Sequence, residues 1–378
     1  MLPRSEIREC IDKLRPEILD WLRLSIACNS YCHNKAGVDE VGRMVAEAMP
    51  KSFSHELSSQ QTVGDHHVFT QHGNGGRPMV LAGHLDTLCP PDPEFDEMVE
   101  DGDLLRGPGV NDMKAGDAVI VWSLRVLESC GLLRDLPMVC IFNGDEELGS
   151  PTSNSIFRGM AGQAAFALVF ECSAPDGTVV VGRKGIQRFR MKIKGKACHF
   201  GNLKESKVSA VEELAHKILA VEGVNRDDGS LVANVGRVEG GLLANCVADH
   251  AEMDFEFRYW HRSFETEVRE MVNRLSGSVE VTGCRIETER LSHRPPMQPN
   301  AASRELYERI RRIGESLGIR IAEEKRGGVS DACWLSYVGV PTVDGLGPLG
   351  DHDHTPDEYI VTESLFQRIE LTANLLIA

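Results

Sequence analysis

Short, continuously apolar runs set among helical periodicity constrain this chain more than any other feature. Met79-Val80-Leu81-Ala82-Gly83, Pro137 to Phe142 and Ala165 to Phe170 are too short for helices and lack the alternation of a half-wet strand. Around them, Ile7 to Leu24, Val38 to Met49 and Ala115 to Leu132 space their apolar residues as helices. Strands buried on both faces and separated by helices predict an α/β domain with a mainly parallel central sheet. Loops leaving the carboxyl ends of such strands are where functional side chains collect.

The texture changes after Glu171. Val179 to Lys194 alternates between glycine turns and reads as hairpin-like strands. A helix over Val208 to Val221 follows, then strands near Leu231 to Val235 and His250 to Tyr259, a helix over Phe264 to Leu275 and a strand over Ser278 to Glu287. Pro295-Pro296 marks a return, followed by helices over Arg304 to Leu317, Ala332 to Tyr337 and Ile360 to Leu376. The expected organisation is one α/β domain, residues 1–178 and 291–378, interrupted by a smaller domain over 179–290.

Charge narrows the partners. The chain carries 57 acidic against 41 basic side chains, a net −16, and no basic cluster longer than Arg311-Arg312 or Lys325-Arg326. That field disfavours nucleic acid and anionic membrane. No run of 18 apolar residues is long enough to span a bilayer, and the amino terminus mixes charges rather than forming a secretory signal. Eleven cysteines are dispersed without a close CxxC pair, as expected of free thiols in a reducing, cytoplasmic setting. Cys89, Cys140 and Cys172 lie near candidate site residues, but small buried hydrophobes are the commoner role.

The chemistry-bearing residues follow the apolar strands. His84 and Asp86 stand two apart in Gly83-His84-Leu85-Asp86-Thr87, a spacing that lets a carboxylate orient a metal-bound imidazole or simply make a loop hydrogen bond. Asp112 sits in the glycine-flanked turn Gly107 to Gly116; the turn lacks the Gly-Lys-Ser/Thr ending of a phosphate loop, and both metal ligation and helix capping suit it. Asp145-Glu146-Glu147 ends a buried strand, where three acids are costly unless solvent or cations compensate them. Neighbouring side chains point apart, so one acid can ligate metal while the next faces a water; an exposed acidic turn is the bland alternative. Glu171 ends the next strand, and His352 and His354 share an acidic loop near the carboxyl end. Two imidazoles and three or four carboxylates form a donor set suited to paired zinc ions or related divalent metals.

These segments resemble, in order and over nearly the whole chain, the co-catalytic zinc peptidases and deacylases that include glutamate carboxypeptidase, acetylornithine deacetylase, succinyl-diaminopimelate desuccinylase and aminoacylase. The series is GHLDT, GPGVNDMKAG, NGDEELGS, FECS, GRKG, GKACHFGN, ANC, FRYW, GGVSDA and GDHDHTPDEY, nearest in wording to the bacterial glutamate carboxypeptidase branch. The resemblance implies a catalytic domain carrying two Zn²⁺ per chain, with Co²⁺ or Mn²⁺ as substitutes, and a ferredoxin-like dimerisation or lid domain over 179–290. It implies that Asp112 bridges the ions, that His84 and Glu171 complete one and that Glu147 and His354 complete the other. Asp86 orients His84, and Glu146 is the base acting on a metal-bridging water. His199 is implied to reach a partner subunit's site in a homodimer, with Asn245 and Arg258 as substrate contacts. Asn111, where a small residue is usual, and Val329, in place of a hydroxyl residue, depart from the family pattern. The implied reaction splits an amide beside a free-carboxylate amino acid in a small peptide or N-acyl amino acid. A deacylase or dipeptidase keeps that chemistry with another substrate; a non-enzymatic metal-dependent binding protein is the reading from a different class.

Overall fold

The computed structural model describes residues 4–204 and 206–378. It divides into two compact units: the larger holds the described residues up to Gly182, with Pro299–Arg326 and Ser330–Ala378, and the smaller holds Arg183–Gln298 and Gly327–Val329.

The larger unit is built on a six-stranded mixed sheet in the order Ser54–Ser58, Gly64–Gln71, Met138–Gly144, Met79–His84, Phe166–Val169, Thr342–Val343. The last four strands run parallel to one another, and Gly64–Gln71 is antiparallel to both its neighbours. Met79–His84 and Met138–Gly144 are buried at every position, which explains their unbroken apolar runs. Helix Ala115–Ser129 is buried over most of its circumference, with Val119, Ile120, Trp122 and Val126 in the core it shares with helices Arg4–Ala27 and Thr362–Ile377. Removing such side chains costs about 2–5 kcal/mol each through lost transfer energy and cavity formation.

A second small sheet positions one loop of the site. Leu104–Arg106 pairs with Tyr359–Val361, which pairs in turn with Gly350–Asp351. The turn entered from Arg106 is therefore held beside the loop between Asp351 and Tyr359.

In the smaller unit, Gly185–Lys194, helix Ala210–Glu222, Leu231–Gly240, His250–Tyr259, helix Ser263–Gly277 and Arg285–Arg294 follow in a βαββαβ sequence. The antiparallel sheet order places Gly185–Lys194 between His250–Tyr259 and Arg285–Arg294, the ferredoxin-like arrangement. Phe189, Met191, Phe255 and Phe257 pack with Leu214 and Val268 of the helices into a separate core.

Two sequence expectations are corrected. Val179 to Lys194 is not a hairpin: Thr178–Arg183 pairs with Ala322–Arg326 in the larger unit, while Gly185–Lys194 begins the smaller one. The glycine texture around 182–185 marks a passage between units; at Gly185 a Cβ would lie 2.7 Å from Pro296 N. The strand expected over Ser278 to Glu287 instead runs Arg285–Arg294. Residues 278–284 form a loop pinned to helix Ala210–Glu222, because Glu213 accepts from the Glu280 and Val281 amides at 2.8 and 2.6 Å and Lys217 donates to Ser278 O at 2.8 Å.

Candidate metal centre

Strand Met79–His84 delivers His84 to the carboxyl edge of the sheet with its side chain 1% exposed. Its Nδ1 donates to the Asp86 backbone oxygen at 2.9 Å, so Nε2 is the atom presented inward, 3.0 Å from Asp112 Oδ1. The Asp86 carboxylate lies 3.5 Å from Nδ1, yet its own bonds run elsewhere, accepting from the Glu146 and Glu147 amides at 3.1 and 3.0 Å. One fully buried acid thus touches the first histidine and fixes the acidic segment.

Asp112 lies in a tight π-type turn, Val110–Lys114, and the Asp112–Met113 peptide is cis. Gly109 enters the turn at φ +68°, and a Cβ there would lie 2.4 Å from Thr87 Cγ2. The turn aims Asp112 so that its second oxygen, Oδ2, is 3.1 Å from His354 Nε2. His354 stands on the loop after Gly350–Asp351 at φ +63°, with Glu147 Oε1 3.5 Å away. Glu171 Oε1 is 3.7 Å from His84 Nε2.

Two ligand groups result, His84–Asp112–Glu171 and Asp112–Glu147–His354, the donor atoms of each lying within 4.8 Å of one another. Asp112 belongs to both. Among the described residues, Asp112, Glu147 and Glu171 form ion pairs only with the two histidines. Glu147 Oε1 is buried without a hydrogen-bond partner. Burial and the nearby Asp112 charge raise the Glu147 carboxyl to about 8 and push Glu171 well above the carboxylate range. Asp112 is held low: burial opposes ionisation, but hydrogen bonds from His354 and His84 outweigh it. The hydrogen bond to Asp112, with the Glu147 carboxylate 3.5 Å away, raises His354 to about 11. Buried acids that retain protons until cations replace them fit a pair of divalent ions, and two imidazoles with three carboxylates are zinc-type donors.

The family model described as peptidase family M20/M25/M40 matches residues 80–378. The chain belongs to that family. It is a metallohydrolase of the M20 group with a candidate two-metal catalytic site. It is 27% identical to carboxypeptidase G2 of Pseudomonas sp. (strain RS-16) over 375 residues, 96% of this chain and 89% of that one. Aminopeptidase PepT of Bacillus cereus has the same fold, with a TM-score of 0.78 at 22% identity over 96% of this chain and 98% of that one. So does the M20 metallo-carboxypeptidase Sso-CP2 of Sulfolobus solfataricus, with a TM-score of 0.74 at 15% identity and the same coverage.

Within this M20 site, the three consecutive acids separate by role. Asp145 turns inward and accepts from Thr152 N, Thr152 Oγ1 and Ser153 N at 2.8, 2.7 and 3.2 Å. Burial alone would raise its pKa, but the Ser153 and Thr152 bonds hold it below the ordinary value. Glu147 turns into the second ligand group. Glu146 is buried, and its negative charge acts on both Glu147 and Glu171. His352, two residues before the ligand candidate, takes no part in either group. Nor do Cys89, Cys140 and Cys172; Cys172 Sγ is 3.3 Å from Asp353 Oδ2.

His199, Asn245 and Arg258 belong to the smaller unit. His199 is exposed on a two-residue strand opposite Cys246. Asn245 accepts the Phe200 amide through its backbone oxygen at 2.8 Å. Arg258 donates from Nε to Glu256 at 2.7 Å and from Nη1 to Gly327 O at 2.8 Å.

Sequence reasoning missed Glu358, which is fully buried against the Asp112 turn, and Asp353, which accepts from the Asn111 side chain. Both lie inside the acidic motif around His354; a clue was available in Glu358, an acid directly before a strand-forming Tyr-Ile-Val.

Proposed function

We propose that the protein is a two-zinc hydrolase that cleaves the amide bond of a free-carboxylate amino acid, in the manner of a glutamate carboxypeptidase. The observation that carries this reading is the sharing of Asp112 between the two ligand groups beside Glu146. His84 and Glu171 would hold one ion and Glu147 and His354 the other, with Asp112 between them. Bound zinc ions supply Lewis acidity and make water acidic enough to attack near neutral pH. Glu146 takes the proton of the attacking water and returns it to the leaving nitrogen. Asp86 holds the backbone from which Glu146 and Glu147 project, fixing the base relative to the ligands.

Arg258 serves the substrate carboxylate, for which a planar guanidinium is better shaped than an ammonium. Asn245 is a second substrate contact. His199 donates to the scissile carbonyl oxygen of substrate held in a partner subunit's site in a homodimer. Support for the dimer comes from apolar side chains exposed on the smaller unit: Leu219 at 73%, Val238 at 54% and Leu242 at 83%. The name of the Pseudomonas relative supports the carboxypeptidase reading. No helix among the described residues is long and apolar enough to cross a membrane.

The test is turnover of zinc-loaded protein on folyl-glutamate, dipeptides, and N-acetyl and N-succinyl amino acids, each with its free carboxylate and as the carboxamide. The reading predicts release of glutamate from the acyl-glutamate and loss of turnover on amidation. Undiminished turnover of the carboxamides, or a requirement for a free substrate amine, would contradict it.

A further inference from the structure

The carboxylate shared by the two ligand groups hangs from a turn whose own backbone bonds leave several of its amides to be met from elsewhere. Residues 109–112 precede helix Ala115–Ser129, and Asp112 and Met113 have non-helical dihedrals, so the amides of this turn have few partners in the turn itself. Val110 N and Lys114 N bond to Gly107 O and Gly109 O, but the amides of Gly109, Asn111 and Asp112 are met by a side chain nearly 250 residues away. Glu358, 0% exposed, accepts from Asn111 N at 2.8 Å and Asp112 N at 3.0 Å through Oε1, and from Gly109 N at 3.0 Å through Oε2. Cys89 Sγ lies 3.7 Å from Oε2. The buried Lys114, which donates to Cys28 O at 2.9 Å, contributes positive charge in the same layer.

A second tie runs parallel to the first. The Asn111 side chain donates to Asp353, whose other oxygen faces Cys172 Sγ, and Cys172 directly follows Glu171. Gly350 makes room for this tie, since a Cβ there would lie 2.3 Å from Asn111 Oδ1. Asp353 and Glu358 flank His354 on one loop. The segment that supplies a ligand to the second group therefore also grips the backbone of the residue common to both.

We propose that Glu358 is the positioning residue of the metal centre, clamping the Asp112 turn so that one carboxylate oxygen faces His84 and the other His354, as a residue that would serve both ions must. This rests on the two-metal reading above, but its physical content is backbone order that exists without metal. Glu358 touches neither substrate nor reacting atoms. A glutamine at this position keeps the shape but can turn an N–H₂ donor toward the N–H donors of the turn. The expected result is a weakening of metal binding by about 10–100-fold, the range typical of lost supporting contacts around metal ligands.

The experiment compares wild type with Glu358→Gln in two measurements. The first is amide hydrogen exchange in metal-free protein. The second is zinc affinity by competition with a chromophoric chelator. The proposal expects exchange at Gly109, Asn111 and Asp112 to quicken at least tenfold, with helix Thr362–Ile377 unchanged, and zinc affinity to fall within the range given. A folded variant with wild-type exchange at those three amides, or with zinc affinity within twofold of wild type, would overturn it. A merely structural role would quicken exchange across the larger unit and lower Tm without a local signature. If the glutamine variant does not accumulate, Glu358→Asp is held to the same criteria: it keeps the charge but falls one methylene short of spanning all three amides. If zinc bound neither protein, the two-metal reading would fail while the exchange result still decided whether Glu358 clamps the turn.

Discussion

Two buried glutamates, one in each unit, show what distinguishes an acid that serves the fold from one that awaits a cation. Glu213 in the smaller unit is fully buried, and its charge is balanced within its own unit: Lys217 forms an ion pair with Oε1 at 3.1 Å, and the amides of Glu280 and Val281 donate to Oε2. Glu147 in the larger unit is also buried, but its neighbours are Asp112, Glu146 and a half-exposed histidine. No lysine or arginine among the described residues pairs with it. Burial is common to both; only the second site is short of positive charge. Two further acids of the smaller unit follow the Glu213 rule nearer the surface, where Asp254 meets Arg190 at 2.7 Å and Glu256 meets Arg188 at 2.9 Å. Such exposed pairs contribute about 0–1 kcal/mol each. A cluster of acids marks a candidate metal centre here because of the partners it lacks, not because of its acidity.

The largest effect expected from a change to either kind of acid is on catalysis. Glu146→Gln should lower kcat by about 10²–10⁴-fold while zinc content and Tm stay close to wild type. Ordinary turnover with metal bound would place the base elsewhere. Next in size is the loss of an internal partner. Lys217→Met leaves Glu213 buried without its cation and should cost about 3–5 kcal/mol of stability, read by denaturant unfolding, without altering zinc content. An unchanged midpoint would mean that the two amides alone suffice for Glu213, and the contrast between the units would weaken.

A smaller effect separates the sites by pH. In metal-free protein, Glu147 is raised to about 8 from an unfolded value near 4.5, so the folded state holds an extra proton between those values. Stability from this group is therefore present at acid pH and lost as pH rises toward about 8. His354, raised to about 11 from 6.5, acts in the same direction above its unfolded value. The Tm of metal-free protein should fall from pH 6 to pH 9, and zinc should flatten that slope because ligation displaces the protons. Equal slopes with and without zinc would contradict the coupling.

How much of this was legible in sequence follows the same physics. Strands Met79–His84 and Met138–Gly144 were readable because burial on both faces leaves continuous apolar runs, and the polar residues at their ends stand out against them. His84, Asp112, the Asp145-Glu146-Glu147 run, Glu171 and the pair His352 and His354 could be collected as candidates, although the choice of Glu147 and His354 among their neighbours, and the division into two groups, needed the family resemblance. The strand Arg285–Arg294 was misplaced because most of it is partly exposed, its alternation is weak, and the preceding loop is shaped by Glu213 and Lys217 far away in sequence. Glu358 escaped, and Asp145 could not be told from the two acids after it, for a related reason. An acid that accepts backbone amides leaves no periodicity in the sequence, and only the folded chain reveals whether its partner is an amide, a lysine or nothing.

The central claim, that Asp112 is common to two ions, is tested most directly by zinc stoichiometry of wild type and Asp112→Asn after equilibration with zinc and removal of the excess. About two zinc per chain in the wild type, with both lost together in the variant, is the predicted result. A wild type holding no zinc, or an Asp112→Asn protein that keeps both ions at wild-type affinity, would contradict it.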